Sequence, residues 1–357
     1  MAEPIKKIVL VLPSLHAGGM ERVMSELAFF FTTKKNAEVH LILLGIDDKF
    51  YSLPQSVTVH EPSFAFNKKN ILLETAKTML YLRKTINGIK PDSVLSFGEM
   101  YNSFVLIGTL FTKHQIFVSD RSKPDKNWGK FHHLLRNVFY RRAAGIIAQT
   151  EMAAQIMTKR LNHSNIKVIG NPINMINSTR LEPRKNIILS VGRMIKSKRF
   201  DLLIKLFSQT SNENWELHIL GDGPERQTIE AVVYSMNLSN KVTLLGAKKD
   251  VAPFYAQSKI FAFTSNSEGF PNVLGEAMSA ELAPITFNFI AGASDLIEHN
   301  INGLLIPMDD EKLYIEGLNK LMNDNSLVDK FSIESKKSIS KFSTNIIANE
   351  YYNFILS

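Results

Sequence analysis

The sequence predicts an α/β chain of two doubly wound domains, each a parallel sheet covered by helices on both faces. Three observations carry this. Apolar, β-branched runs alternate with helical patterns from end to end, which is the pattern of strand–helix–strand units. The alternation lapses once, over Asn171–Arg184, where Pro172, Pro183 and three asparagines leave little periodicity, and then restarts. The length, 357 residues, suits about two domains.

In the first series, strands are expected at Lys7–Leu12, Val39–Leu44, Val57–His60, Ser93–Phe97, Gln115–Ser119, Gly145–Gln149 and Lys167–Ile169. Helical stretches such as Gly19–Thr33 and Asn70–Asn87 lie between them. In the second, strands are expected at Asn186–Val191, Glu216–Leu220, Val242–Leu245, Ile260–Thr264 and Ala283–Phe287. Helices near Phe200–Gln209, Pro224–Met236, Asp250–Ala256 and Pro271–Ala280 separate these, and Asp309–Ser357 is helical in pattern. The strands are near-continuous apolar runs, as strands buried on both faces must be. The domains are expected at 1–170 and 171–340, with 341–357 a terminal helix. Two such domains would face each other across a cleft, with ligands at the carboxyl ends of the strands.

Composition excludes several chemistries. There is no cysteine, hence no disulfide framework, Cys-ligated zinc, iron–sulfur cluster or catalytic thiol. The apolar run Ile8–Leu12 is cut by Pro13, so no signal peptide is expected. The run Phe104–Phe111 is far short of the roughly 18 apolar residues that span a bilayer. A soluble or membrane-surface protein is expected, in the cytoplasm.

Charge is unevenly spread. Residues 1–170 carry 23 basic and 13 acidic residues, and 171–357 carry 19 and 21. The first half is therefore the one expected to meet an anionic partner. Its densest stretch, Arg121–Arg142, sets Lys123, Lys126, Lys130, Arg136, Arg141 and Arg142 among Trp128, Phe131, Leu134, Leu135, Val138 and Phe139. That mixture suits a helix on anionic lipid, and equally a solvated helix with one core-facing side. No zinc-finger spacing, RNP-like motif or basic zipper is present, so nucleic acid is not expected.

Four strand-to-helix turns carry the candidate chemistry. Gly18 and Gly19 open a helix after the first strand, where a ligand can approach the backbone and a helix N-terminus favours an anion. The three-glycine dinucleotide fingerprint is absent, and a plain tight turn is the alternative. Gly192 begins a second turn with Arg193, Lys196, Lys198 and Arg199, a cationic clamp for a diphosphate or else a solvated basic loop. Gly221-Asp222-Gly223-Pro224 is a tight turn whose meaning alone is structural. The segment Ser265–Glu276 holds Glu268 after a strand, Pro271 at a helix start and Glu276 one to two turns in. A carboxylate there can accept from both hydroxyls of a diol while the helix N-terminus attracts phosphate. Paired carboxylates also serve glycosidases, but a glycosidase has no use for a diphosphate clamp.

Together these segments resemble the retaining GT-B glycosyltransferases of the family-four group: Gly18-Gly19-Met20-Glu21, Gly192-Arg193 with Lys198 and Asp201, Gly221-Asp222-Gly223, and Glu268-Gly269-Phe270-Pro271 with Glu276. The resemblance covers nearly the whole chain and includes bacterial capsular, O-antigen and lipid-linked glycan transferases. It implies two Rossmann-like domains, the first on the acceptor side, the second holding a nucleotide-sugar, and a C-terminal helix that crosses back to the first. It implies that Arg193 and Lys198 bind the diphosphate and that Glu276 binds the ribose hydroxyls. Glu268 would lie at the donor sugar, with Gly192, Gly269, Phe270, Pro271, Asn272 and Val273 lining the donor. The Gly18–Gly19 loop would face the diphosphate.

Many members carry a histidine after a first-domain strand. Here that stretch reads Val118-Ser119-Asp120-Arg121-Ser122, similar to bacterial enzymes with Ser-Glu-Arg that use UDP-N-acetylhexosamines. Asp120 and Arg121 are accordingly expected on the acceptor side. No Asp-x-Asp triplet is present, so no metal and no cofactor beyond the nucleotide-sugar substrate, favoured as a UDP-sugar, is expected. The implied activity is metal-independent, retaining transfer of an N-acetylhexosamine to a lipid-linked saccharide at an anionic membrane face, in assembly of a bacterial surface glycan. A GT-B sugar-nucleotide epimerase and a catalytically silent sugar-binding protein are the alternatives.

Overall fold

The computed structural model describes residues 4–46, 49–176, 183–211 and 213–357. The chain forms two compact units: residues 1–172 with 344–357, and residues 173–343. Of the expected linker Asn171–Arg184, residues 177–182 lie outside the described residues.

Unit 1 runs β1 (Lys7–Leu12), α1 (Gly19–Lys34), β2 (Glu38–Leu43), β3 (Thr58–His60), α2 (Ile71–Ile89), β4 (Ser93–Phe97), α3 (Glu99–Gly108), β5 (Ile116–Ser119), α4 (Lys130–Phe139), β6 (Gly145–Ala148), α5 (Glu151–Leu161) and β7 (Ile166–Val168). Its sheet has the order β3-β2-β1-β4-β5-β6-β7, and every pairing is parallel. The central strands lie in the core: Ile8–Leu12 and all of β4 are buried. Right-handed crossovers put α1 on one face and α2 to α5 on the other. The packing agrees, with α2, α3, α4 and α5 in contact one after another.

Unit 2 runs β8 (Ile187–Val191), α6 (Phe200–Ser208), β9 (Glu216–Leu220), α7 (Arg226–Ser235), β10 (Val242–Gly246), α8 (Ala252–Gln257), β11 (Ile260–Phe263), α9 (Asn272–Ser279), β12 (Ala283–Phe287), α10 (Ala293–Leu296), β13 (Leu304–Ile306), α11 (Glu311–Asn323) and α12 (Asn325–Ile339). Its parallel sheet has the order β10-β9-β8-β11-β12-β13. The edge strand β13 was not among the expected strands. Asp310 and Asp324 cap α11 and α12 by accepting from the amides of Leu313 and Leu327.

The last helix, α13 (Thr344–Ile355), belongs to unit 1. Its buried side, Ile347, Ala348, Tyr351, Phe354 and Ile355, follows helical spacing. Tyr352 meets Phe31 of α1 edge to face at 5.6 Å between ring centroids, and Phe354 meets Phe117 of β5 at 5.3 Å. Among the described residues no helix is long and apolar enough to cross a membrane.

Each sheet reverses its order once, between β1 and β4 in unit 1 and between β8 and β11 in unit 2. Ligands of doubly wound sheets bind at the carboxyl ends of the strands flanking that reversal. The turns after β1, β4, β8 and β11 are the ones so placed.

Candidate active site

In unit 2, the turns after β8 and β11 are laced together. Thr264 donates its hydroxyl to the carbonyls of Lys198 (3.0 Å) and Arg199 (3.1 Å). Ser265 donates to the carbonyl of Ser197, and the Asn266 amide donates to the same oxygen. This lacing brings the Lys198 ammonium to 2.5 Å from Glu268 Oε1, with both side chains mostly shielded from water. Ser265 donates to the same Oε1 at 2.5 Å, leaving Oε2 without a hydrogen bond among the described residues. The ammonium also lies 5.1 Å from the centroid of the Phe263 ring.

Arg193, five residues before Lys198, is exposed, and its side chain has no partner among the described residues. Arg199 takes a left-handed conformation (φ 55°) ahead of α6 and turns away to pair with Asp309. In the clamp expected from the sequence, Arg193 and Lys196 are thus exposed and Lys198 is held on Glu268, while Arg199 ties the turn to a neighbouring loop.

The Gly221–Gly223 turn stands behind this clamp. Both glycines have positive φ, 143° and 158°; a Cβ on Gly221 would lie 1.9 Å from the Gly192 carbonyl oxygen, and one on Gly223 2.5 Å from that of Met194. Backbone bonds from Gly192 to Leu220 and from Met194 to Asp222 complete the seam. These glycines let two turns pack backbone on backbone, which sets the path of Gly192-Arg193.

Pro271 precedes the first turn of α9, and Gly275 and Leu274 donate their amides to its carbonyl. Phe270 is buried against Phe342, 5.5 Å between centroids. Gly269, Asn272, Val273 and Glu276 are partly exposed. Glu276 accepts from the hydroxyl of the fully buried Tyr255 at 3.4 Å. Burial, and next the Glu276 charge, hold that phenol well above its ordinary pKa, so it remains a donor.

In unit 1, the Gly18–Gly19 turn joins β1 to α1. Tyr51 donates to the Gly18 carbonyl at 2.9 Å, and a Cβ at Gly18 would meet the Glu21 carboxylate. Asp120 follows β5 directly. It is buried and accepts from Tyr140 (2.5 Å), Asn102 (3.2 Å) and Arg136 (3.2 Å), so its carboxylate is used within the domain. Burial, reinforced by the charge of Glu99, raises its pKa to about 6 against the pull of Arg136, Tyr140 and Asn102. Arg121 is similarly engaged. Its guanidinium lies 4.2 Å from the centroid of the Phe97 ring and donates to Tyr351 of α13 and to Asn171.

The basic stretch Arg121–Arg142 is partly engaged within unit 1 and partly turned to solvent. Only 130–139 is α-helical. Arg136 is buried on Asp120, Lys123 pairs with Asp125, and Arg142 donates to the carbonyls of Leu106 and Thr109. Lys126, Lys130 and Arg141 stay exposed, together with Phe131, Leu134 and Val138 of α4.

Comparison with known proteins decides the family. Residues 17–175 match Glycosyltransferase Family 4, and residues 173–338 match Glycosyl transferases group 1. The chain belongs to the GT-B glycosyltransferases of the family-four type. This glycosyltransferase is 27% identical over 360 residues, 98% of each chain, to the GalNAc-alpha-(1->4)-GalNAc-alpha-(1->3)-diNAcBac-PP-undecaprenol alpha-1,4-N-acetyl-D-galactosaminyltransferase of Campylobacter jejuni. In fold it is similar to a mutant of S. aureus TarM in complex with Fondaparinux, alpha-GlcNAc-glycerol and UDP. That TM-score is 0.80 at 15% identity, over 99% of this chain and 100% of that one. The lipopolysaccharide outer core galactosyltransferase WaaB gives a TM-score of 0.82 at 20% identity, over 98% and 99%.

Sequence reasoning about this glycosyltransferase missed Ser265, Thr264, Tyr255 and Glu99. Glu99, just after β4, accepts from the amides of Arg121 (3.0 Å) and Ser122 (2.6 Å) and so holds the turn after β5. A hydroxyl or carboxylate that bonds a turn distant in sequence leaves no periodic trace, so no signal was there to find them.

Proposed function

We propose that this glycosyltransferase moves an N-acetylhexosamine from a UDP-sugar to a lipid-linked saccharide, with retention at the anomeric carbon and without a metal ion. The setting we infer is assembly of a bacterial surface glycan on the cytoplasmic face of the plasma membrane. The observation that carries the proposal is the cluster at the strand-order reversal of unit 2: Arg193 without a partner among the described residues, beside Lys198 held on Glu268. Two cations in one turn suit a diphosphate, and Gly192 admits its oxygens to the backbone. The lipid-linked acceptor and the N-acetylhexosamine are supported by the name of the Campylobacter jejuni relative, and UDP by the TarM complex.

Each residue then has a chemical task. The bond between the anomeric carbon and the β-phosphate oxygen breaks, and its electron pair stays on the diphosphate. Arg193 and Lys198 stabilise that developing charge, the largest single contribution expected of such a site. Glu268 fixes Lys198 through Oε1, and its open Oε2 accepts from a donor-sugar hydroxyl. Glu276 accepts from the ribose diol, with Tyr255 orienting its carboxylate. Gly269, Phe270, Pro271, Asn272 and Val273 shape the turn on which the donor rests. The acceptor hydroxyl attacks on the face the diphosphate leaves, and a diphosphate oxygen takes its proton.

The test is transfer from UDP-N-acetylglucosamine and UDP-N-acetylgalactosamine to an undecaprenyl-diphosphate-linked saccharide, with the product anomer read by NMR. An α-linked product is expected. A β-linked product, epimerised donor without transfer, or turnover of GDP-sugars only would overturn the reading.

A further inference from the structure

The two turns at the strand-order reversal of unit 1, after β1 and after β4, meet through side chains. Gly98, which follows β4, has φ 100°. A Cβ there would lie 3.3 Å from Sδ of Met20 and 3.3 Å from Cδ2 of Tyr101. Met20 stands in the first turn of α1 and Tyr101 in the first turn of α3. Both side chains thus close over one backbone position. Tyr101 keeps 38% of its surface in solvent, and its phenol has no hydrogen bond among the described residues. Thioether and ring make an apolar step at the carboxyl end of the sheet, where ligands of doubly wound sheets bind.

A carboxylate borders this step. Glu21 follows Met20 and folds over Gly18, where a Cβ would meet its Oε2. It is partly exposed and has neither an ion pair nor a hydrogen bond among the described residues. Burial, and next the Glu21 charge, hold the Tyr101 phenol above its ordinary pKa, so it stays protonated. Glu99 and Asp120, at the same end of the sheet, are used within the domain. Glu99 accepts from the amides of Arg121 and Ser122, and Asp120 from Tyr140, Asn102 and Arg136.

An open carboxylate beside an apolar step suits a sugar ring. The C–H face of the ring packs on thioether and phenol, while two neighbouring hydroxyls donate to the two carboxylate oxygens. A uronic acid or a phosphorylated sugar would instead bring a second negative charge against Glu21, which has no paired cation among the described residues.

We infer that Met20 and Tyr101 carry the terminal sugar of the acceptor and that Glu21 accepts from its hydroxyls, so that these three residues select an uncharged sugar. The inference rests on the proposed transfer to a saccharide and names the part of unit 1 that reads the acceptor.

The test is steady-state transfer by the full chain from UDP-N-acetylglucosamine or UDP-N-acetylgalactosamine to two undecaprenyl-diphosphate-linked saccharides. One ends in N-acetylgalactosamine and the other in galacturonic acid. Wild type should prefer the first by kcat/KM. Glu21→Gln should raise its KM about tenfold or more through weakened hydrogen bonds to a charged group. The same change should narrow the preference over the acidic acceptor at least about tenfold, since the repelling charge is gone. Tyr101→Ala should raise the KM of the uncharged acceptor about tenfold, whereas Tyr101→Phe should stay within about twofold of wild type, because the ring is what packs. UDP affinity and the KM of the UDP-sugar should be the same in every variant, which separates a lost acceptor contact from a lost fold or donor site. An acceptor KM unchanged in both Glu21→Gln and Tyr101→Ala would overturn the inference, as would a wild type that prefers the acidic acceptor. UDP affinity that falls together with acceptor use would make these residues supports of the fold or the donor site and overturn it too. A wild type that binds UDP but transfers to neither saccharide would overturn the transfer reading, and the inference with it.

Discussion

The Lys198 ammonium lies 2.5 Å from Glu268 Oε1, and the two residues come from turns that follow adjacent strands, β8 and β11. Each sets the position of the other. Lys198→Ala is expected to lower turnover at least about a hundredfold, the scale of one lost transition-state stabiliser. Arg193→Ala should do the same. Steady-state kinetics with a UDP-sugar checks both, and near-normal turnover in either would remove that residue from the clamp.

Glu268 and Glu276 should separate in calorimetry. Glu268→Ala should lower turnover while leaving free UDP affinity nearly unchanged, because Lys198 keeps its charge. Glu276→Ala should weaken UDP binding about tenfold or more through the lost diol acceptor. Abolished UDP binding in Glu268→Ala alone would reverse the two roles.

Asp120 predicts a pH dependence of stability. Its carboxyl titrates at about 6 in the folded chain against an ordinary 3.8, so between those values the folded state holds the extra proton. The Asp120 contribution to stability is therefore greatest at low pH and is lost as pH rises through about 6. Melting temperatures of wild type and Asp120→Asn, compared across that window, should show wild type losing more on the way up; parallel curves would contradict it. Arg136→Ala, which leaves a buried carboxylate without its cation, should cost about 3–5 kcal/mol.

The fold was legible because both sheets are parallel and buried. Runs such as Ile8–Leu12 and Ile187–Val191 are apolar without alternation, and helices start at the turns that glycine and proline mark. That the Lys198 and Glu268 turns belong to one region was legible through turn position alone. Other features were not. The sequence shows Arg136 among basic neighbours, and only the fold brings it to Asp120, 16 residues earlier, in the interior. The Gly221–Gly223 turn reads as a tight structural turn, and only the fold shows that its glycines serve the backbone contact with Gly192 and Met194. In α2 the structure buries Glu74 and Thr78 in line with Leu82 and Ile86, which a helical period alone does not tell.

The proposed metal independence has its own test. With Arg193 and Lys198 supplying the positive charge, EDTA should leave most of the activity intact. Complete loss restored by magnesium or manganese would require a metal in the charge-stabilising role.

The most direct measurement is a thermal-shift comparison of UDP, GDP and ADP on the full chain. A ligand bound by the folded state at about a hundred times its dissociation constant adds about 2.7 kcal/mol. For units of this size that raises the melting temperature by roughly 5–10 °C. The account predicts such a rise with UDP, a smaller one with GDP and ADP, and its loss in Arg193→Ala. A larger rise with GDP or ADP, no rise with any of the three, or a UDP shift that Arg193→Ala retains in full would contradict it.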